Sequence, residues 1–190
     1  MLLAIVIPVY NAEETVGFLV EQLLDMSLAD NLEIVLVDDA SQDGSAKICE
    51  DLARGFRDSV VFVQLARNFG EHNAVMAGLR HARGDCVVVM DDDFQNPPEA
   101  VRLLNDAMRD GEYDVVYCSY TKKMNKLWRN AGSWFNNLAC TLLLRKPYKL
   151  YLSSFKIMSR FAVDQVLRYR GPFPYIDGLL LQSVGKIGSV

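Results

Sequence analysis

Five short apolar runs, rich in β-branched residues, alternate with amphipathic stretches through residue 120, and this order constrains the fold more than any other feature. LLAIVIPV (2–9), EIVLVDD (33–39), VVFVQL (60–65), CVVVMDDD (86–93) and DVVYCSY (114–120) read as strands. Helices are expected at about 12–25, 44–56 and 71–82, and from the Pro97-Pro98 pair to about Met108. Asn11 followed by Glu14 has the spacing of an N-cap with its reciprocal acid. Strict βαβα alternation with nearly continuous apolar strands implies an α/β fold, a parallel sheet covered on both faces by helices. Beyond Tyr120 the pattern changes to a helix-like WRNAGSWFNNLACTLLL (128–144), a strand LYLSSFKIM (150–158) and a helix from Arg160 to about Tyr169. No repeat or linker interrupts the chain, so its 190 residues read as one domain with two functional halves.

Those halves differ in charge. The net charge of −4 conceals 22 acidic against 8 basic side chains in residues 1–114, a balance of −14. Residues 115–190 hold 2 acidic and 12 basic ones, a balance of +10. Two opposite electrostatic surfaces suit two different partners. Cys49, Cys86, Cys118 and Cys140 form no Cys-x-x-Cys pair, which excludes a zinc ribbon and a redox motif. Leu2–Val9 is too short and lacks the basic flank of a signal peptide, and no apolar run nears the ~18–20 residues that span a bilayer.

In an open parallel sheet, ligands bind at the carboxyl ends of the strands. Pro8-Val9-Tyr10-Asn11, Asp38-Asp39-Ala40-Ser41 and Asp91-Asp92-Asp93 fall there. Three consecutive carboxylates repel one another, and a divalent cation relieves the repulsion. Oxygen ligands at alternate positions, with Gln95 two further on, suit Mg²⁺ or Mn²⁺. A solvated acidic turn before the Pro97-Pro98 helix start is the alternative. Neither G-x-G-x-x-G nor G-x-x-x-x-G-K-[ST] is present, which argues against an ordinary dinucleotide dehydrogenase and a P-loop enzyme.

VIPVYNAEE (6–14), IVLVDDASQDGS (34–45), ARNFGEHNAVMAGL (66–79), ARGD (82–85) and MDDDFQNPPE (90–99) resemble, in order and spacing, the family 2 glycosyltransferases of the GT-A fold. DDDFQNPPE is similar to the D-x-D-x-Q-x-P-P-E signature of their polyprenyl-phosphate branch, the dolichol- and undecaprenyl-phosphate sugar transferases. SSFKIMSR (153–160) and PYIDGLL (174–180) resemble that branch too. The resemblance implies a GT-A sheet, mostly parallel and Rossmann-like. It implies that Pro8, Tyr10 and Glu13 line a nucleoside pocket and that Asp39, with Asp38, reads the base. Asp91, Asp93 and Gln95 are implied as metal and diphosphate ligands, with Asp92 beside them where relatives often carry a small residue. Arg67 and Asn68 fall near the sugar nucleotide, with a surface role for Arg67 as the alternative. Gly70 and Gly78 read as turn and packing positions, and His72 as a solvated helix-start residue.

The implied reaction is an inverting, metal-dependent transfer of a sugar from a UDP- or GDP-sugar to a polyprenyl phosphate. Asp93 stabilises the departing diphosphate through the metal. Asp177 is the candidate base or acceptor-orienting residue, an N-cap being the alternative. Lys156 and Arg160 are candidates for the acceptor phosphate. Lys122, Lys123, Lys126, Arg129, Arg145, Lys146 and Lys149, interleaved with Trp128, Trp134 and Tyr148, suit a membrane surface carrying anionic lipid. A solvated loop plus a core helix is the plainer reading of that stretch. Nucleic acid is disfavoured as a partner, and a homo-oligomer is left open. The expected location is the cytoplasm, at the cytoplasmic face of a membrane. The polyprenyl-phosphate relatives usually continue past VGKIG (184–188), so the chain is expected to be cut short at its C-terminus. Two alternatives remain: transfer to a saccharide hydroxyl of a surface polysaccharide, and a nucleotide-sugar-binding module without activity.

Overall fold

The structure, a computed structural model, describes residues 1–26, 28, 31–118 and 152–190. The elements follow the expected alternation: β1 (Leu2–Val9), α1 (Val16–Asp25), β2 (Asn31–Asp38), α2 (Ser45–Gly55), β3 (Val60–Gln64), α3 (Glu71–His81), β4 (Cys86–Val89), α4 (Glu99–Asp110) and β5 (Val115–Tyr117). After the undescribed stretch come β6 (Lys156–Ser159), α5 (Arg160–Val166), α6 (Ile176–Ser183) and β7 (Ile187–Ser189).

The strand order is β3-β2-β1-β4-β6-β5-β7. The pairs among β1 to β4 are parallel, β6 runs antiparallel to both β4 and β5, and β7 is parallel to β5. The sheet is therefore mostly parallel, and strands from both charge-defined halves share it. Because side chains alternate along a strand, β1 sends Leu3, Ile5 and Ile7 into one core layer, against α1 (Leu19, Leu23), α2 (Cys49) and α4 (Val101, Leu104). Ala4 and Val6 face the other layer, with α3 (Val75, Leu79), α5 (Val163, Val166) and α6 (Ile176, Leu180). Each fully buried aliphatic side chain contributes about 1.5–3 kcal/mol, so β1, with both faces covered, anchors the sheet. Gly78 lets α3 lie close: a Cβ there would stand 2.3 Å from Val6 Cγ1.

Several boundaries differ from those read in the sequence, each for a local reason. Helix α1 starts at Val16 rather than Ala12: Asn11 and Ala12 are drawn to Gln42 and to Ser45 at the start of α2, while Ala12 O accepts from Thr15 N and Val16 N to lead into the helix. Asn11 is consequently no N-cap; its Oδ1 accepts from Gln42 N at 2.8 Å. Strand β4 stops pairing at Val89, which leaves Asp91–Asp93 beyond the ladder. Strand β6 begins only at Lys156, after a turn in which Ser153 Oγ accepts from Phe155 N at 3.2 Å. Cys49, Cys86 and Cys118 are buried free thiols, the last two within apolar strand runs; burial, with nearby carboxylates, pushes the Cys49 thiol up to about 12.

Candidate functional site

The strand order reverses direction at β1, with β2 on one side and β4 on the other, and the crevice outside their carboxyl ends is the expected ligand position. Pro8 helps to open it. Val6 O accepts from Met90 N at 3.1 Å, so even-numbered residues of β1 face β4. The β1–β4 ladder ends at Val6, and Pro8, two residues on, needs no N–H toward the gap. A cavity of about 480 Å³ occupies this place. Pro8, Tyr10, Asp39, Asn68, Asp91, Asp92, Asp93 and Gln95 all line it.

The loops that carry these residues are locked to one another. Asn11 N donates to Ser41 Oγ at 3.0 Å, and Ala12 N donates to Ser45 Oγ at 2.7 Å. Glu13 N donates to Asp43 Oδ2 at 3.2 Å, and Glu13 Oε2 accepts from Gly44 N at 2.6 Å. Asn11, Ala40 and Phe94 take positive φ values of 54°, 59° and 56°, one in each loop after β1, β2 and β4. For residues other than glycine this conformation is strained, and such strain gathers at ligand sites.

Asp39 is buried and accepts from two successive amides, Phe69 N on Oδ1 and Gly70 N on Oδ2, both at 2.8 Å. It thereby ties β2 to the entry of α3, where Gly70 adopts φ 87°, and each oxygen keeps a lone pair for the cavity. Asp92 Oδ2 accepts from Tyr10 N at 3.3 Å, which draws the β4–α4 loop to β1. Burial, abetted by Asp93 and Asp91, pushes the Asp92 carboxyl up to about 6 despite that hydrogen bond. Asp91 Oδ2 accepts from Ser154 Oγ at 2.6 Å, and Asp93 Oδ1 accepts from Gln95 N at 3.0 Å.

The donor set fits a hard divalent cation. Among the described residues no three His, Cys, Asp or Glu side chains form a metal-binding cluster. Mg²⁺ and Mn²⁺ do not require such a cage: one or two carboxylates with substrate phosphate oxygens serve Mg²⁺ in nucleotide sites. Asp91 and Asp93, facing one cavity, offer that pair, and Gln95 stands beside them.

Other expectations are corrected. Asp38 is wholly buried outside the cavity; it accepts from Ser41 N at 3.2 Å and faces Gln64, so it shapes the turn rather than a ligand. Glu13 lies in a neighbouring concavity with Asp43 and acts as an inter-loop clamp. Arg67 stacks on Phe69 at 4.7 Å from the ring centroid and does not line the cavity, in keeping with the surface alternative. Arg160 sits at the amino end of β4, opposite the crevice, because β6 is antiparallel and pairs Cys86 with Ser159. Its guanidinium donates to the carbonyls of Gly84 and Ala82, each at 3.1 Å, and closes the α3–β4 turn.

Lys156 and Asp177 find each other. The Lys156 ammonium donates to Asp177 Oδ1, and the Tyr117 hydroxyl donates to the same oxygen at 2.9 Å. All three residues are buried. Burial first, then the Asp177 charge, pushes the Tyr117 phenol well above its ordinary value, so it remains a donor. Asp177 is the second residue of α6, whose N-cap position is Tyr175. Lys156 is thus no open phosphate contact. His72 is an exposed first-turn residue as expected, yet it meets Tyr175 edge-on at 5.9 Å. Lys122, Lys123, Lys126, Arg129, Arg145, Lys146 and Lys149 lie outside the described residues. Sequence reasoning passed over Ser154 and Glu71; for Ser154 its place in the SSFK motif was the signal.

A mostly parallel α/β sheet with an acidic crevice after β4 defines a GT-A fold. Over 98% of its length the chain superposes on glucosyl-3-phosphoglycerate synthase from Mycobacterium tuberculosis in complex with Mn²⁺, UDP-glucose and phosphoglyceric acid (TM-score 0.68, 21% identity, 68% of that chain). It covers 58% of S. aureus TarS 1-349 in complex with UDP, over its own full length, with TM-score 0.67 and 19% identity. Residues 4–167 match the family model "Glycosyl transferase family 2", and the chain belongs to that family. It is 42% identical over 169 residues, 88% of its length and 49% of the relative's, to the undecaprenyl-phosphate 4-deoxy-4-formamido-L-arabinose transferase of Pseudomonas fluorescens. The protein of that name from Aeromonas hydrophila is 37% identical over 164 residues, 84% of this chain and 48% of its own. The chain spans about half the length of the curated relatives it matches.

Proposed function

We propose that this chain carries the catalytic part of an inverting glycosyltransferase that moves a sugar from a nucleoside-diphosphate donor to undecaprenyl phosphate or a related polyprenyl phosphate. The observation that carries the reading is the convergence of Pro8, Tyr10, Asp39, Asn68 and Asp91–Asp93 on one cavity at the strand-order switch, in a chain with relatives named for undecaprenyl-phosphate transfer. Tyr10 and Asp39 receive the nucleoside, Asp39 through its remaining acceptor lone pairs. Asp91 and Asp93, with Gln95, hold Mg²⁺ or Mn²⁺ with the diphosphate. When bound, the metal neutralises charge that develops on the departing diphosphate. Asp92 and Ser154 keep the carboxylates in place through their bonds to Tyr10 N and Asp91.

A phosphate monoester is largely ionised at pH 7, with its second pKa about 6, and attacks without a general base. Asp177 Oδ1 already accepts from Lys156 and Tyr117, an arrangement that favours positioning over proton removal. The phosphate acceptor is therefore preferred to a saccharide hydroxyl. A lipid acceptor places the reaction at a membrane surface, on its cytoplasmic side. Among the described residues no helix is long and apolar enough to cross a membrane. Mass spectrometry of undecaprenyl phosphate incubated with UDP- and GDP-sugars and Mg²⁺ or Mn²⁺ tests the proposal. A glycosyl-phosphate lipid that needs both donor and metal supports it. Transfer only to saccharide hydroxyls refutes the acceptor.

A further inference from the structure

The loop between α5 and α6 projects from the crevice end of the sheet. Strand β6 runs from Lys156 at that end to Ser159 at the other, so α5 starts at the far end and leads back. Asp177, in the first turn of α6, meets Lys156, which fixes the start of α6 at the crevice end as well. The edge-on contact of His72 with Tyr175 joins the loop to the start of α3.

In this loop Phe173 is 84% exposed, the highest value for a large hydrophobic side chain among the described residues. The backbone under it is constrained. Pro172 has a fixed φ, and Pro174 confines the preceding Phe173 to extended conformations. Pro174 is buried, and the Tyr169 hydroxyl donates to Phe173 O at 3.2 Å. The ring is thus held out in water, where it adds nothing to the core. Arg168 and Arg170, both exposed, stand beside it, and residues 165–176 contain no acid. The flanking carboxylates are engaged elsewhere: Asp164 faces Arg160 at 3.7 Å, and Asp177 holds Lys156. Among the described residues, neither Arg168 nor Arg170 has a carboxylate partner.

An aromatic tip with unpaired arginines complements an anionic bilayer: the ring enters the boundary between headgroups and acyl chains, and the guanidinium groups stay level with the phosphates. A bilayer asks only for apolar depth and positive charge, and this loop supplies both. We infer that the α5–α6 loop is a membrane-docking element, with Phe173 among the lipids and Arg168 and Arg170 on anionic headgroups. The choice of a lipid surface over a protein partner rests on the polyprenyl-phosphate reading proposed above. Docking of this kind needs no membrane-crossing helix, and it brings the crevice end of the sheet to the bilayer.

The test is co-sedimentation of the chain with vesicles of phosphatidylcholine alone and of phosphatidylcholine mixed with phosphatidylglycerol. Wild type is compared with Phe173→Ser and with the double variant Arg168→Gln, Arg170→Gln, and thermal melts confirm that the variants fold. The basic residues of the 122–149 stretch are unchanged in every variant, so the differences report this loop. Phe173→Ser is expected to lose about 5- to 10-fold in affinity for the mixed vesicles. The double arginine variant is expected to lose about 10- to 30-fold there and to change little on phosphatidylcholine alone. Phe173→Trp reports insertion directly: its emission, taken as the difference from wild type, is expected to shift to the blue on the mixed vesicles and to be quenched by brominated lipid. Wild type that ignores the vesicles, variants that bind as wild type does, or an unshifted Phe173→Trp emission overturns the inference. So does a Phe173→Ser change confined to self-association in analytical ultracentrifugation, since the loop then meets a second copy of the chain. Because the vesicles carry neither donor nor acceptor, failed docking leaves sugar transfer to the mass-spectrometric test, and failed transfer leaves docking standing.

Discussion

Asp177→Asn isolates the energetics of the buried Lys156–Asp177–Tyr117 cluster. Asparagine keeps an acceptor for the Tyr117 hydroxyl but strands the Lys156 ammonium, whose residue is 3% exposed, without its counter-charge. Removing one member of a buried pair costs about 3–5 kcal/mol. Because the Asp177 side chain keeps 12% of its surface exposed, the lower end applies, about 3 kcal/mol. At roughly 2–4 °C per kcal/mol for a chain of this size, the melting temperature falls by about 6–12 °C. Lys156→Met removes the other charge, and the double variant removes both while its Asn still accepts from Tyr117. The cycle therefore closes with a coupling of about 2–3 kcal/mol, the double variant being far more stable than the sum of the single effects. Urea unfolding of the four proteins, followed by far-UV circular dichroism, measures this. Single variants each within about 0.5 kcal/mol of wild type, with additive effects, would refute the ion pair and the reasoning built on it.

Two further outcomes follow from the site and its support. Asp92→Asn keeps the acceptor for Tyr10 N and removes a carboxyl raised from 3.8 to about 6. In the folded protein that carboxyl holds its proton more tightly than in the unfolded chain, so its cost to stability is fully present above pH 6 and vanishes below about 4. The variant should be more stable than wild type by about 1–2 kcal/mol at pH 7.5 without metal, the gain fading toward pH 4; thermal melts across that range check the sign. Gly78→Ala places a Cβ 2.3 Å from Val6 Cγ1 and 3.0 Å from Val37 Cγ2, and overpacking of this kind costs about 1–3 kcal/mol. Chemical unfolding should register that loss, and a melting temperature equal to wild type would contradict the close packing of α3 on β1.

The βαβα alternation and the acidic strand ends were legible because they rest on local periodicity and on charge that packing alone would not favour. Pro8, Tyr10, Asp39, Asn68 and Asp91–Asp93 could thus be named from the chain itself and from its resemblance to a family. What stayed hidden depends on loops meeting across the sheet. Asn11 looks like a helix cap until the β2–α2 loop takes its side chain, and Glu13 looks like a pocket residue until Gly44 N claims its carboxylate. Asp38 and Asp39 are adjacent, yet one is sealed inside and the other bridges to α3, a distinction of strand facing that a pair of identical letters does not carry. The insertion of β6 between β4 and β5 is equally invisible in chain order. It is this antiparallel strand that carries Lys156 toward Asp177 and Arg160 away from the crevice.

The central claim is that Asp91 and Asp93 hold a nucleoside diphosphate through a divalent cation. Calorimetric titration of UDP and GDP, with and without Mn²⁺, into wild type and Asp93→Ala tests it most directly. The account predicts metal-dependent binding of one of the two by wild type and a loss of at least about tenfold in the variant, the equivalent of about 1.4 kcal/mol. Equal affinity in wild type and variant, or binding indifferent to the metal, would contradict it.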